Sequence, residues 1–150
     1  MGVVSPNLFY LMSDVTRLAR RAFDRRAAGL GLTRAQWRTL KLIQRNEGVS
    51  QSAIAEELEM EAIAVGRVID RLQQAGFVER RHDPNDRRRW CLHLTERAHE
   101  VTDAMQMIAD ELRAVAFDGV ADDDLAAMTR VLESMKDKLL AIPAEKENVA

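Results

Sequence analysis

The side chains that could do chemistry in this chain are few, and their spacing favours binding over bond making. Cys91 is the one cysteine; His93 lies two residues on and His99 beyond. A thiolate nucleophile needs a base in reach, a group to orient that base and donors for an oxyanion. No such set accompanies Cys91 and His93, so no enzyme activity is expected. Cys91, His93 and His99 also match no zinc-ligand spacing, since Cys91 and His93 merely share a strand face. Neither metal nor cofactor is expected. Asp122, Asp123 and Asp124 fit acidic residues at the start of a helix, where they suit its dipole. The outstanding cluster is Arg87-Arg88-Arg89, three adjacent guanidinium groups suited to phosphates or to a groove of negative potential.

The elements that position these residues follow from periodicity and caps. Ser5-Pro6 reads as an N-cap and first helical position. Leu8, Leu11, Met12, Val15, Leu18, Ala22 and Phe23 follow at roughly helical spacing, and Gly29-Leu30-Gly31 ends the helix. Thr33 and Gln36 form a capping box for a second helix carrying Trp37, Leu40 and Ile43. Ser50 caps a short third helix with Ile54, Ala55 and Leu58. A fourth, from about Glu61, has the stripe Val65, Val68, Ile69, Leu72, and Gly76 suits a left-handed C-terminal residue. Phe77-Val78 and Trp90 to Thr95 form a β-hairpin around the turn Asp83-Pro84-Asn85-Asp86. A fifth helix opens at Thr95 or Glu96, with Val101, Met105, Ile108 and Leu112 on its stripe. A sixth follows Asp118-Gly119, carries Leu125, Met128, Val131, Leu132, Met135 and Leu139, and stops before Pro143. A polar tail, 144–150, remains.

Composition narrows the class. A 150-residue chain with 47% hydrophobic and 31% charged residues is expected to fold as one unit with a sizeable core. No run approaches a membrane span, and no basic flank precedes the first apolar residues, so a cytoplasmic protein is expected. Seven glycines leave little for phosphate-cradling loops. The net charge of −2 is unevenly spread. Up to Arg97 there are 17 basic and 12 acidic residues, a net of +5; from Ala98 on there are 5 and 12, a net of −7. A basic front on an acidic tail suggests that only the front meets a polyanion.

Helix, helix, short helix, helix, basic hairpin, two helices: this order describes a mainly α fold with a small β-hairpin wing, a winged helix-turn-helix. An amphipathic fourth helix with one free face fits the DNA major groove, and arginines on a hairpin tip fit the minor groove. Leu32-Thr33-x-x-Gln36-Trp37-x-x-Leu40, Val68-Ile69-Asp70-Arg71-Leu72, Gly76-Phe77-Val78-Glu79-Arg80, Asp83-Pro84-x-Asp86-Arg87-Arg88 and Leu94-Thr95 occur in that order. Together they resemble the multiple antibiotic resistance regulator (MarR) family, nearest its SlyA-like branch, over about Leu8 to Leu140.

The resemblance implies a homodimeric bacterial transcription regulator, a repressor of a pseudo-palindromic operator on double-stranded DNA. Residues 33–95 would be the DNA-binding lobe; 5–30 and 96–142 would be dimerisation helices. Arg67 matches the family arginine that reaches DNA from the fourth helix, to a base edge or a phosphate. Arg88 matches the minor-groove arginine. Asp86 matches an aspartate that buttresses the wing arginines, leaving Arg87 and Arg89 for phosphates or Asp86. Arg71 and Arg80 match positions along the recognition helix and wing base, and Ser50, Gln51 and Ser52 could hold a phosphate. Many relatives carry serine or threonine near Ala64 and Gly66. With Ala62, Ile63 and Gly66 at the DNA face, hydrogen-bonded readout shrinks and reliance on Arg67, the wing and DNA shape grows. The family also implies a small aromatic or phenolic anion as effector, with Arg17 and Lys41 on its carboxylate and Trp37 over its ring. Trp37 equally suits a core position, and Arg17 a salt bridge between protomers. The alternative function is a ligand-independent architectural or anti-silencing DNA-binding protein.

Overall fold

The structure, a computed structural model, describes residues 7–143. The expected cap at Ser5-Pro6 and the tail 144–150 lie outside these residues. The elements are α1 (Leu8–Ala27), a 3-10 turn (Ala28–Leu30), α2 (Arg34–Arg45), β1 (Val49–Ser50), α3 (Gln51–Leu58), α4 (Ala62–Gln74), β2 (Val78–His82), β3 (Trp90–Leu94), α5 (Ala98–Ala116) and α6 (Asp122–Leu140). The chain divides into two units, 1–113 and 114–150. No helix among the described residues is long and apolar enough to cross a membrane.

The local signals account for most boundaries. Thr33 accepts from the Gln36 N–H while the Gln36 side chain accepts from the Thr33 N–H, so both ends of the capping box are closed. Ser50 Oγ accepts from the Ala53 N–H at 3.1 Å and starts α3. Gly76 adopts φ +80° and turns the chain out of α4. Between α3 and α4 the same left-handed turn falls on Glu59, at φ +52°. A side chain there costs on the order of 1 kcal/mol, borne by the bond from Met60 N–H to the Ala55 carbonyl that closes the turn.

Two expectations change. The wing is a three-stranded antiparallel sheet of order β1-β3-β2, with Val49 paired to Leu92 and Ser50 to Cys91. A two-residue strand has no alternation to read, and its partner lies some forty residues away. The fifth helix begins at Ala98 and not at Thr95 or Glu96, because Thr95 closes the sheet. Its N–H donates to the Phe77 carbonyl and its hydroxyl to the Gly76 carbonyl. The apolar run of α1 is mostly uncovered: Phe23 and Ala27 are buried, whereas Leu11, Val15 and Leu18 are each more than half exposed.

The core of the first unit gathers Leu40 and Ile43 of α2, Ile54 and Leu58 of α3, Val65, Ile69 and Leu72 of α4, Val78 of β2 and Leu92 of β3. Met105 of α5 joins it, with Ile108 and Leu112 packed against it. In the second unit, α6 opens on Asp122, Asp123 and Asp124 and buries none of its residues.

Asp24 ties α1 to α2. Its carboxylate accepts from Arg34 Nε at 2.8 Å, from a second Arg34 nitrogen and from Trp37 Nε1 at 2.8 Å. Trp37 in turn packs its ring on Phe23, with centroids 4.4 Å apart. The hydrogen bond from Arg34 holds the Asp24 pKa below its ordinary 3.8, burial opposes this, and Trp37 adds to the lowering. Asp24→Ala leaves the Trp37 N–H unpaired and should cost about 1–3 kcal/mol in urea unfolding. Because the folded pKa is depressed, the wild-type advantage should be full above pH 3.8 and vanish as pH falls through the lower folded value.

Candidate nucleic-acid interface

α4 is amphipathic. Burying Val65, Ile69 and Leu72 leaves Ala62, Ile63, Arg67 and Arg71 exposed, with Ile63 75% exposed at the helix start. Gly66 sits on the same helix, half covered. A Cβ there would touch the end of the Gln51 side chain at 3.4 Å, so Gln51 of α3 lies against α4 at this point.

The wing tip is built to hold its arginines outward. Asp83 Oδ1 accepts from the Asn85 N–H at 2.8 Å, and Asp86 Oδ1 from the Arg88 N–H at 3.0 Å. The Asp86 carbonyl accepts from the Arg89 N–H and the Arg89 carbonyl from the Asp83 N–H, both at 3.0 Å. Below the turn, His82 stacks on its cross-strand partner Trp90 with centroids 4.1 Å apart, and its Nδ1 lies 2.9 Å from the Arg87 carbonyl. Asp86 therefore braces the backbone of the turn, and Arg87, Arg88 and Arg89 stand exposed. The buttress is made to main chain, where a guanidinium partner was expected.

Six of the thirteen predicted contact residues line one cleft. Ser50, Gln51 and Ser52 at the start of α3, Ala62 at the start of α4 and Arg88 and Arg89 of the wing line a single open cleft of about 290 Å³. Trp90 lines it too, a residue that reading of the sequence passed over. Its position just after the arginine triplet and its 40% exposure on a β-strand mark it. Arg80 is the exception among the arginines: it points inward and its side chain is 16% exposed.

The predicted effector trio is not gathered in one place. Arg17 pairs with Asp14 at 3.0 Å and lines a cleft with Met12, Arg20 and Arg34. Trp37 and Lys41 line a different cleft of about 320 Å³, with Arg20, Arg38, Arg45 and Glu57. Arg20 thus borders the cleft in which Arg17 was expected. The signal was available in helix phase: Arg20 lies three and seven residues before the buried Phe23 and Ala27. The cleft is strongly positive. Burial lowers the Lys41 pKa, and the charges of Arg45 and Arg113 lower it further. Arg38 is shifted down likewise, by burial and by Arg20 and Arg34. Trp37 itself is 7% exposed and serves chiefly as core.

A sequence model of the MarR family matches residues 32–90. Solved structures extend the likeness to most of the chain. A MarR transcriptional regulator from Methanosarcina mazei Go1 superposes with a TM-score of 0.80 at 24% identity, covering 93% of this chain and all of that one. A MarR structure does so with a TM-score of 0.77 at 26% identity, covering 93% and 95%. A mutant S. aureus MepR bound to an oligodeoxyribonucleotide matches with a TM-score of 0.59 at 23% identity, covering 87% and 96%. The mainly helical winged fold is thus like that of the solved MarR regulators, and the matched stretch 32–90 contains every residue that lines the cleft described above.

The brace at the wing is local. Asp86→Ala should speed amide exchange at Arg88, whose N–H loses its carboxylate acceptor, more than at Arg89, whose bond to the main-chain carbonyl of residue 86 remains. Its cost to global stability should stay below about 1 kcal/mol, because the turn is exposed to water.

Proposed function

We propose that this chain is a homodimeric, sequence-specific DNA-binding transcription regulator of the SlyA-like branch, acting as a repressor in the cytoplasm. The observation that carries the reading is the shared surface of α3, α4 and the wing, where Arg67, Arg88 and Arg89 stand free beside small and apolar side chains. α4 enters the major groove. Ala62, Ile63 and Gly66 bring the helix close to base edges and thymine methyls, and Arg67 supplies the hydrogen-bonded contact. Arg88 enters the minor groove. Arg87 and Arg89 meet phosphates, as do the hydroxyls and N–H groups of Ser50, Gln51 and Ser52. Arg71 serves as a further phosphate contact.

Two lobes on one operator require a dimer, and the uncovered apolar residues supply its interface. Leu11, Val15 and Leu18 of α1 and Met128, Val131 and Leu139 of α6 are exposed in the single chain. Two helices with such faces are poorly soluble unless paired. Residues 5–30 and 96–142 are the dimerisation segments and 33–95 the DNA-binding lobe. The acidic C-terminal part suits a platform held away from phosphate.

The effector is a small aromatic or phenolic anion in the cleft of Trp37 and Lys41, with Arg20 in the role first given to Arg17. An anion there relieves the mutual repulsion of Arg20, Arg38, Lys41 and Arg45. Its binding shifts the lobes and lowers DNA affinity.

The test is binding of the purified chain to its own upstream DNA across a salt titration, with and without aromatic carboxylates. Affinity should fall by roughly 10³–10⁵ between about 50 and 200 mM salt. Arg67→Ala should cost about 1–3 kcal/mol and relax one position per half-site, whereas a uniform loss across sequences marks a phosphate contact. Arg88→Ala should remove a preference for A·T steps beside each half-site. Weak binding that ignores sequence and salt defeats the proposal; specific binding that no carboxylate relieves defeats its effector part.

A further inference from the structure

Alternation along β2 puts Val78 and Arg80 on one face of the wing sheet. Val78 is buried, and so is Leu92, the cross-strand partner of Arg80. A guanidinium on an edge strand has thus been turned toward the lobe. Its Nη1 lies 2.7 Å from Asp70 Oδ1 and donates to Gln73 Oε1 at 2.8 Å. Its Nη2 donates to the Gly66 carbonyl at 3.3 Å, and its Nε to Gln51 Oε1 at 3.4 Å. Gly66, Asp70 and Gln73 are spaced i, i+4, i+7 and share one face of α4; Gln51 belongs to α3.

Three of the five N–H groups of the guanidinium donate hydrogen bonds here, Asp70 adds an ion pair, and the fork is planar and rigid. All four partners are served together at one orientation of β2 against α4. An arginine whose donors are committed in this way has little left for a phosphate. Gly66 contributes through its carbonyl. We propose that Arg80 is a positioning residue that locks the pitch of the wing against the recognition helix, so that Arg67 and the wing tip engage one duplex together. This rests on the DNA-binding reading above and replaces the direct contact expected of Arg80.

The proposal predicts a sign that simple electrostatics does not. Asp70 is an exposed acid on the DNA-facing helix. Neutralising such a group ordinarily strengthens binding to a polyanion, whereas loss of a positioning partner weakens it.

Hydrogen exchange of the full chain without DNA tests the joint directly. In Arg80→Ala and Asp70→Asn, exchange over 78–94 should accelerate while that of 34–45 stays unchanged. Unchanged exchange, or uniform acceleration in both segments, overturns the proposal. The second arm uses duplexes that the wild-type chain recovers from a randomised pool. Both substitutions should weaken binding by roughly tenfold with the salt slope intact, and Arg80→Lys, which keeps the charge and loses the fork, should recover part of the loss. A salt slope lower by about 0.9 per contact in Arg80→Ala, or tighter binding by Asp70→Asn, makes Arg80 a phosphate contact and overturns the proposal. If the wild-type chain recovers no duplex, the DNA-binding reading fails, and the exchange arm alone decides the joint.

Discussion

Burial of one stripe of α4 governs what the lobe can present. Val65, Ile69 and Leu72 are essentially inaccessible, packed with Leu40 and Ile43 of α2 and Leu92 of β3. An apolar stripe of this kind supplies several kcal/mol, about 1.5–3 for each large side chain taken from water. It also sets the rotation of the helix about its axis. With those three residues inward, Ala62, Ile63 and Arg67 can only face out. A helix held by a narrow stripe keeps an open face, and the proposed function rests on that face.

The wing inherits its position from the same core. β3 lies between β1 and β2, and its central Leu92 is anchored under the lobe. The tip beyond it is ordered by hydrogen bonds of Asp83, Asp86 and His82, with Trp90 stacked beneath. Acids in this turn spend their acceptors on main-chain N–H groups and leave the guanidinium groups unpaired. An arginine paired to a neighbouring carboxylate would have to give up that partner before meeting a phosphate.

Charge and apolar surface divide along the chain in a way that suits the two duties proposed. The basic residues of α1 and α2 converge on a cleft where burial, helped by neighbouring arginines, lowers the pKa of Arg38 and Lys41, and an anion would relieve this. The uncovered apolar residues of α1 and α6 call for a partner surface. Both features lie outside the family match at 32–90 or straddle its edge, and the DNA contact proposed for the winged lobe does not depend on them.

The sequence by itself determined the helices, their caps and the wing. Thr33 with Gln36, Ser50 before α3, the 3-4 spacing of α4 and Gly76 are local signals, each acting within a few residues, and the structure follows them. The motif from Leu32 to Thr95 likewise made the MarR lobe legible before any coordinates. Only the tertiary structure decided what depends on contacts between distant segments. Val49 and Ser50 become a strand because β3 offers them a ladder. Arg80 becomes a joint because Gln51, Gly66, Asp70 and Gln73 surround it. Arg20, and not Arg17, borders Trp37 because Phe23 and Ala27 set the phase of α1. In each case the residue type was plain, but its partner was chosen by packing, and packing is a property of the whole fold and not of neighbours in sequence.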